Sequence, residues 1–240
     1  MQMRVFLITG FALDRRAFSL MNLPGEVYRT VDLIPVRKGE SLREYALRMA
    51  GEIGLTPGDI IGGVSLGGML ALEMARVVDV AGVIIIASAT HPRFIRKRFK
   101  IWAPLAPWVP EGVIRRIFTL IPRILALQNM LSPEGQALLA DIMGRFPPSL
   151  LKAFPMMIMR WEGCRPPAKF VHIHSDGDWL IRPDGNPATL TLLPGRNHLI
   201  TVSHPKAVRD LVLGAVEGFQ TSMKSSVGDA SRNPSSPASP

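Results

Sequence analysis

Apolar residues in this chain follow two patterns that alternate along the sequence. Short, nearly continuous apolar runs, typical of buried parallel strands, occupy residues 4–9, 27–33, 59–63 and 81–88. Segments rich in helix formers lie between them, at residues 15–21, 41–53 and 66–77. This alternation predicts an α/β fold with a mainly parallel sheet and helices on both of its faces.

The alternation stops after residue 88 and resumes much later. Strands are predicted again at 169–174 and 188–193, and a helix at 204–219. The intervening segment, about residues 89–167, has a length that suits a helical lid inserted after the strand at 81–88. From Gln220 onward Ser, Pro, Ala and Gly dominate, which predicts a disordered tail over 220–240. The pattern thus predicts a single domain over residues 1–219.

One junction between a predicted strand and a predicted helix carries a candidate nucleophile. The sequence there is Gly63-Val64-Ser65-Leu66-Gly67. A serine between two glycines can be held in a tight, strained turn that lifts its hydroxyl out of the backbone, and the glycines avoid clashes with neighbouring chain. A glycine-rich turn that only packs closely is the alternative. We predict that Ser65 is a nucleophile.

A serine hydroxyl needs a base and a residue that orients the base. Of the five histidines, His198 follows a late strand in a turn, where it could reach the carboxyl ends of the strands. The preceding strand runs into Asp176, Gly177 and Asp178. We prefer Asp178 as the acid, because Gly177 permits a turn that carries it toward the histidine. Asp176 is then a turn-capping residue.

Four motifs, in this order, resemble those of the α/β-hydrolases, and the resemblance covers the chain from Arg4 to about Phe219. Thr9-Gly10-Phe11 looks like the family's His-Gly-X oxyanion turn, with threonine in place of histidine. Residues 62–68 look like its nucleophile elbow, 174–178 like its acid turn and 195–198 like its histidine loop. The order of the four motifs is more specific than any one of them.

The resemblance implies a role for each matched residue. Ser65 would be the nucleophile, Asp178 the acid and His198 the base of a catalytic triad. The backbone N–H groups of Phe11 and Leu66 would form the oxyanion hole. Residues 34–46 and 63–71 further resemble a group of small bacterial α/β-hydrolases of poorly defined substrate.

The predicted activity is that of a serine esterase without a cofactor, which hydrolyses a carboxylic ester or thioester through an acyl-enzyme on Ser65. Two alternatives stay open. One is an acyl-carrier-linked esterase or acyltransferase that docks an acidic partner on the lid. The other is a non-catalytic member of the fold that binds a small ligand.

The positive charge of the chain is concentrated in the predicted lid. Residues 91–170 contain 13 Lys or Arg and 4 Asp or Glu, which accounts for the whole formal charge of +9. Such a basic, apolar segment could bind an acidic partner, an anionic membrane surface or an anionic substrate, or could simply be solvated. No nucleic-acid-binding motif accompanies the charge, so we predict no nucleic-acid partner.

The remaining composition excludes several classes of protein. The single cysteine, Cys164, rules out intrachain disulfides, and its loop context predicts an inert thiol. His172 and His174 point to one face of a strand, yet two ligands do not make a metal site, so we predict buried histidines and no metal. The chain shows neither a secretory signal pattern nor an apolar run of about 20 residues, and we expect a cytoplasmic protein.

Overall fold

The computed structural model describes residues 3–128, 130–185, 187–195 and 197–230. Within them, six strands form one sheet in the order β2-β1-β3-β4-β5-β6, and every adjacent pair is parallel. The strands are β1 Val5–Ile8, β2 Tyr28–Val31, β3 Ile60–Val64, β4 Gly82–Ile86, β5 Phe170–Ser175 and β6 Leu190–Leu193. The predicted α/β class with a parallel sheet is confirmed.

Helices connect the strands and cover both faces of the sheet. The α-helices are α1 Leu42–Glu52, α2 Leu66–Ala75, α3 Lys97–Trp102, α4 Glu111–Leu127, α5 Pro133–Arg145, α6 Pro148–Arg160, α7 Ile200–Ser203 and α8 Pro205–Ala230. Segments of 3-10 helix occur at Arg15–Met21, Pro92–Phe94 and Ala103–Trp108. The segment at 15–21, for which the sequence predicts a helix, is therefore helical but of the tighter type.

The continuous apolar runs of the strands are explained by two apolar cores, one on each face of the sheet. In β4, Val83 and Ile85 lie in one core, whereas Ile84 and Ile86 lie in the other. Successive side chains of a strand point to opposite faces, so a strand that is covered twice needs apolar residues at every position. All five residues of β4 are buried.

The segment between β4 and β5 is mainly helical. It contains α3 to α6 and two short 3-10 helices, and we call residues 92–160 the helical insertion. The insertion falls inside the segment of about 89–167 for which the sequence predicts a lid. Its function as a lid stays a prediction.

The C-terminal helix is longer than the sequence pattern indicates. Helix α8 continues to Ala230, whereas the predicted domain ended at residue 219 and a disordered tail was expected over 220–240. Composition detects the loss of large apolar residues but not the continuation of a helix that packing has already nucleated. The hydroxyls of Thr221 and Ser222 donate to carbonyl oxygens four residues earlier, and Met223 packs against the core. Residues 231–240 of the predicted tail lie outside the described residues.

Candidate active site

Ser65 lies in a strained turn between β3 and α2. Its φ of 53° and ψ of −116° are unusual for a residue with a side chain, and its N–H donates to the carbonyl oxygen of Ile86 over 2.8 Å. Close packing requires glycine on both sides. A β-carbon at position 63 would lie 2.5 Å from the carbonyl carbon of Gly67, and one at position 67 would lie 2.6 Å from the carbonyl oxygen of Thr9. The turn thus has the geometry of a nucleophile elbow.

The structure brings the three predicted triad side chains together. His198 Nε2 is 2.9 Å from Ser65 Oγ, and His198 Nδ1 is 2.7 Å from Asp178 Oδ2. All three residues are buried. The other carboxylate oxygen of Asp178 accepts hydrogen bonds from the N–H groups of Leu180, at 2.7 Å, and Ile181, at 3.0 Å. This arrangement fits an imidazole that donates from Nδ1 and accepts the serine proton at Nε2.

The environment of Asp178 keeps the carboxylate ionised. Burial by itself raises its pKa, but the charge of His198 and hydrogen bonds from His174, His198 and the Ile181 N–H act in the opposite direction. Together these contacts hold the pKa of Asp178 well below its usual range. A buried carboxylate of this kind can stabilise an imidazolium on the neighbouring ring.

Asp176, the alternative acid, lies elsewhere in the turn. Its Oδ1 accepts from the N–H of Gly195 at 2.9 Å, and its side chain is exposed. Its own N–H donates to the carbonyl oxygen of Leu193. Asp176 therefore has the turn-capping position that the sequence predicts for it.

The two amides predicted for an oxyanion hole flank Ser65. Leu66 is the first residue of α2, and Phe11 follows Gly10, whose β-carbon position lies 3.2 Å from the Cβ of Ser65. Within the described residues, neither the Phe11 N–H nor the Leu66 N–H donates a hydrogen bond to another group. Both donors are therefore free to bind an oxygen atom placed beside Ser65.

The threonine that replaces the family's histidine keeps its backbone in place. Thr9 N–H donates to the carbonyl oxygen of Val31 at 3.0 Å. Its Oγ1 is buried and has no hydrogen-bond partner among the described residues. The backbone N–H of Thr9 is thus paired despite the substitution, and the threonine adds a buried hydroxyl to the turn.

A row of buried polar side chains extends behind Asp178, which the sequence analysis did not predict. His172 Nδ1 is 2.8 Å from the carbonyl oxygen of Asp184, and His172 Nε2 is 2.9 Å from His174 Nδ1. His174 Nε2 lies 3.3 Å from Asp178 Oδ2 and 3.3 Å from the carbonyl oxygen of Ile181. The sequence did contain a signal for this row: two histidines spaced by two residues on a strand, followed by an acid four residues after His174.

With neutral imidazoles, this row holds one proton fewer than its hydrogen bonds require. Its three contacts each need a proton between their two atoms, whereas two neutral imidazoles supply two. Burial and the neighbouring His174 lower the pKa of His172 to about 3, so His172 is neutral at neutral pH. Oδ1 of Asp184 is buried without a hydrogen bond in the described part of the chain and lies 3.5 Å from His172 Nδ1. With both imidazoles neutral, one of the three contacts therefore lacks a proton.

The two histidines are buried, as predicted. Among the described residues, no group of three His, Cys, Asp or Glu side chains has the arrangement of a metal site. Burial, with a smaller contribution from Glu73, raises the pKa of the Cys164 thiol to about 11. That thiol is therefore protonated and unreactive at neutral pH.

An apolar groove lies beside the oxyanion turn. Its volume is about 200 Å³, and all its lining side chains are apolar: Phe11, Phe99, Trp102, Ala103, Ala106, Ile114, Ile117, Phe118, Leu151 and Pro155. A larger cavity of about 800 Å³ lies between the start of α1 and helix α6. Ser65 and His198 line neither of them, but Phe11 of the oxyanion turn lines the groove and not the larger cavity, so the groove is the better candidate for a substrate site.

Comparisons with known proteins agree with this fold. A model of the "Alpha/beta hydrolase family" matches residues 4–211. No curated protein matches the sequence. An esterase from Thermogutta terrifontis has a similar structure, with 18% identity, 91% of each chain covered and a TM-score of 0.69. An enol-lactonase from Burkholderia xenovorans LB400 has 12% identity, 90% of this chain and 92% of its own covered and a TM-score of 0.67.

A third similar structure is an esterase from Exiguobacterium antarcticum, with 15% identity, a TM-score of 0.67 and coverage of 90% of this chain and 92% of its own. At these identities the similarity shows the fold. The family model matches residues 4–211, which is most of the chain, so it shows family membership as well as fold. This protein belongs to the alpha/beta hydrolase family.

Proposed function

We propose that the protein is a serine hydrolase that cleaves a carboxylic ester or thioester through an acyl-enzyme on Ser65. The observation that carries the proposal is the position of the His198 ring, 2.9 Å from Ser65 Oγ on one side and 2.7 Å from Asp178 Oδ2 on the other. Membership of a hydrolase family supports it. We further expect the activity in the cytoplasm.

In the proposed mechanism, His198 Nε2 removes the Ser65 proton as Oγ attacks the acyl carbon. The N–H groups of Phe11 and Leu66 stabilise the oxyanion of the tetrahedral intermediate, while Asp178 stabilises the imidazolium. His198 then gives its proton to the leaving alcohol or thiol, and the acyl-enzyme remains. A water molecule, activated by the same imidazole, attacks this acyl-enzyme and releases the carboxylic acid.

The groove indicates the kind of acyl group. Phe11 both supplies a proposed oxyanion donor and lines the groove, so a carbonyl carbon beside Ser65 would direct its chain into apolar surroundings. Charged acyl groups would lose their hydration there without a partner. We therefore propose an uncharged, aliphatic or aromatic acyl group.

The test is the Ser65→Ala variant. It should abolish hydrolysis of a short p-nitrophenyl ester and labelling by a fluorophosphonate probe, because Ser65 carries the only hydroxyl group of residues 63–67. Mass spectrometry of the labelled wild type should place the modification on the peptide that contains Ser65. Ser149→Ala, which removes an exposed serine hydroxyl, is the matched control and should retain both. Undiminished labelling of Ser65→Ala would reject the proposal.

The same experiment separates the alternatives. A ligand-binding member of the fold would give neither labelling nor turnover. An acyl-carrier-linked esterase or acyltransferase would label on Ser65 but prefer an acyl group on an acidic carrier over a free ester. The basic charge of the insertion favours this second candidate, and reversing Arg115, Arg116 and Arg123 should then weaken activity on the carrier-bound substrate while sparing small esters.

A further inference from the structure

The helical insertion exposes an unusual amount of apolar surface. Most of the large apolar side chains that are more than a third exposed in the described residues lie between positions 101 and 127. They are Ile101, Trp102, Leu105, Trp108, Val113, Ile117, Leu120, Ile124 and Leu127. Trp108 and Leu127 are each 85% exposed. Trp102 and Ile117 line the same groove and so link the two parts of this set, and clusters of exposed apolar side chains mark interaction sites.

In α4 the exposed residues form a regular stripe. Positions 113, 117, 120, 124 and 127 are spaced by four and three residues, which places them on one face of the helix. The opposite side of α4 is already packed, because Ile114, Pro122 and Leu125 are buried. The helix thus has two apolar sides, one of them buried and the other partly exposed to solvent.

Positive charge is concentrated in the same part of the chain. Residues 91–127 contain eight Lys or Arg side chains and a single acid, Glu111. In the described part of the chain none of the eight forms a salt bridge with a carboxylate, although Arg96 and Arg115 donate to carbonyl oxygens. Six of the eight are exposed, so their charges are available to a partner outside the molecule: Arg93, Lys97, Arg98, Arg115, Arg116 and Arg123.

We propose that this surface, the apolar stripe of α4 with the exposed residues of α3 and the following 3-10 helix, binds an anionic lipid bilayer. Apolar side chains would enter the boundary between headgroups and acyl chains, and the exposed cations of the same segment would meet lipid phosphates. Trp102 and Trp108 suit that boundary, since indole rings are enriched there. Self-association would bring like charges together, which disfavours a second copy as the partner.

The attachment is peripheral. No helix in the described residues combines the length and the apolar content that crossing a bilayer requires. The groove explains what attachment would achieve: Trp102 and Ile117 belong both to the exposed surface and to the groove lining. A bilayer on this surface would therefore lie at the mouth of the groove, and acyl chains could pass into it without crossing water. This last step rests on the proposed hydrolase function.

The experiment measures binding of the full-length protein to sedimented vesicles of phosphatidylcholine, alone or in an equimolar mixture with phosphatidylglycerol. We expect binding to the mixed vesicles that weakens about tenfold when NaCl is raised from about 0.1 to 0.5 M. Trp108→Ser with Leu127→Ser should weaken binding by more than about tenfold, because both apolar side chains are exposed. Arg116→Glu with Arg123→Glu should also weaken binding by more than about tenfold, because it replaces two positive charges by negative ones.

Two matched variants control for these changes. Val77→Ser removes an exposed apolar side chain outside the insertion, and Lys38→Glu with Lys206→Glu reverses two exposed cations outside it. Both should leave vesicle binding unchanged. Ser65→Ala should also bind normally, so a failure of binding and a failure of catalysis can be told apart.

Several outcomes would overturn the proposal. One is the absence of binding to mixed vesicles, and another is binding that the stripe and charge variants do not weaken. A dimer in sedimentation velocity that Trp108→Ser with Leu127→Ser dissociates, without vesicle binding, would assign the surface to a second copy. Binding to an acidic acyl carrier protein but not to vesicles would assign it to a protein partner.

Discussion

At the scale of single residues, two histidines contact the same carboxylate oxygen of Asp178, Oδ2. His198 contacts both this oxygen and the hydroxyl of Ser65, whereas His174 belongs to the buried row. The Nε2 atom of His174 faces only acceptors, namely Asp178 Oδ2 and the carbonyl oxygen of Ile181, so it must carry a proton. His174 therefore acts as a positioning residue that donates to the carboxylate.

Replacing His174 tests this role. His174→Phe removes the donor, so Asp178 should become more basic and rotate more freely. We expect kcat to fall about tenfold with KM little changed, and the acid limb of the kcat/KM profile to move to higher pH. His174→Gln keeps a donor at a similar distance and should restore most of kcat and most of the wild-type pH profile. Equal profiles for the Phe and Gln variants would leave His174 with a packing role alone.

A second residue-scale prediction concerns Asp59, far from the candidate site. Its side chain is buried and accepts hydrogen bonds from Arg4 Nε, Thr56 N–H and Thr56 Oγ1. Burial raises the pKa of Asp59, but the bonds from Arg4 and Thr56 outweigh it, and the net shift is downward. A depressed folded-state pKa stabilises the protein above the unfolded value of about 3.9, and this stability is lost as the pH falls below it.

The Asp59→Asn variant should therefore lower Tm by roughly 5 °C at pH 7, and the difference should shrink below about pH 4. Thermal unfolding followed by circular dichroism at several pH values measures this. Asp79→Asn, at an exposed position, should have little effect at either pH. A Tm difference that does not depend on pH would contradict the electrostatic explanation.

At the scale of the elements, the strands and the elbow were the most predictable parts. A strand covered on both faces leaves a continuous apolar run, so all six predicted strands occur within a few residues of their expected bounds. The helices of the insertion were harder to place. Pro122 and Pro155 lie inside α4 and α6, although proline usually ends a helix. The single turn of α7 was not predicted, because four residues carry too little periodicity.

The close approach of α2 to the end of β1 gives a prediction at this scale. Gly67→Ala would place a methyl group against the Thr9 carbonyl oxygen and displace the elbow. We expect kcat/KM to fall by more than about 100-fold and Tm to fall as well. Gly218→Ala in α8 meets no atom within 4 Å, and it should keep full activity with Tm unchanged or slightly raised. Normal turnover by Gly67→Ala would contradict this account of the turn.

At the scale of the whole molecule, the sequence predicted the triad side chains but not the row behind them or the groove. The triad follows strand ends, and the carboxyl ends of parallel strands meet at one edge of the sheet. The groove forms where the insertion packs over Phe11, and no local pattern shows which side chains of the insertion face inward. The charge of the insertion was visible in the sequence, whereas the exposed stripe depended on knowing which side of α4 is buried.

The groove yields the whole-molecule prediction. Ala106→Trp would fill much of its volume, so kcat/KM for long-chain p-nitrophenyl esters should fall more than about tenfold while short esters are hydrolysed normally. Chain-length profiling measures the shift. Ala168→Trp, at an exposed position outside the groove, should leave the profile unchanged. A uniform loss across all chain lengths would mean that the groove does not hold the acyl chain.

The pairing of β4 with β5 has a consequence for how such a protein can diversify. These strands are hydrogen-bonded neighbours, although the helical insertion separates them in sequence. Although β4 and β5 run parallel, the insertion departs from and returns to almost the same place, because the N–H of Cys164 donates to the carbonyl oxygen of Thr90 at 2.7 Å. Ser65 precedes it, while Asp178 and His198 follow it. We therefore expect that the insertion can be exchanged for a segment of other length or chemistry. Such an exchange could alter substrate choice and membrane attachment while the three side chains keep their positions on the sheet.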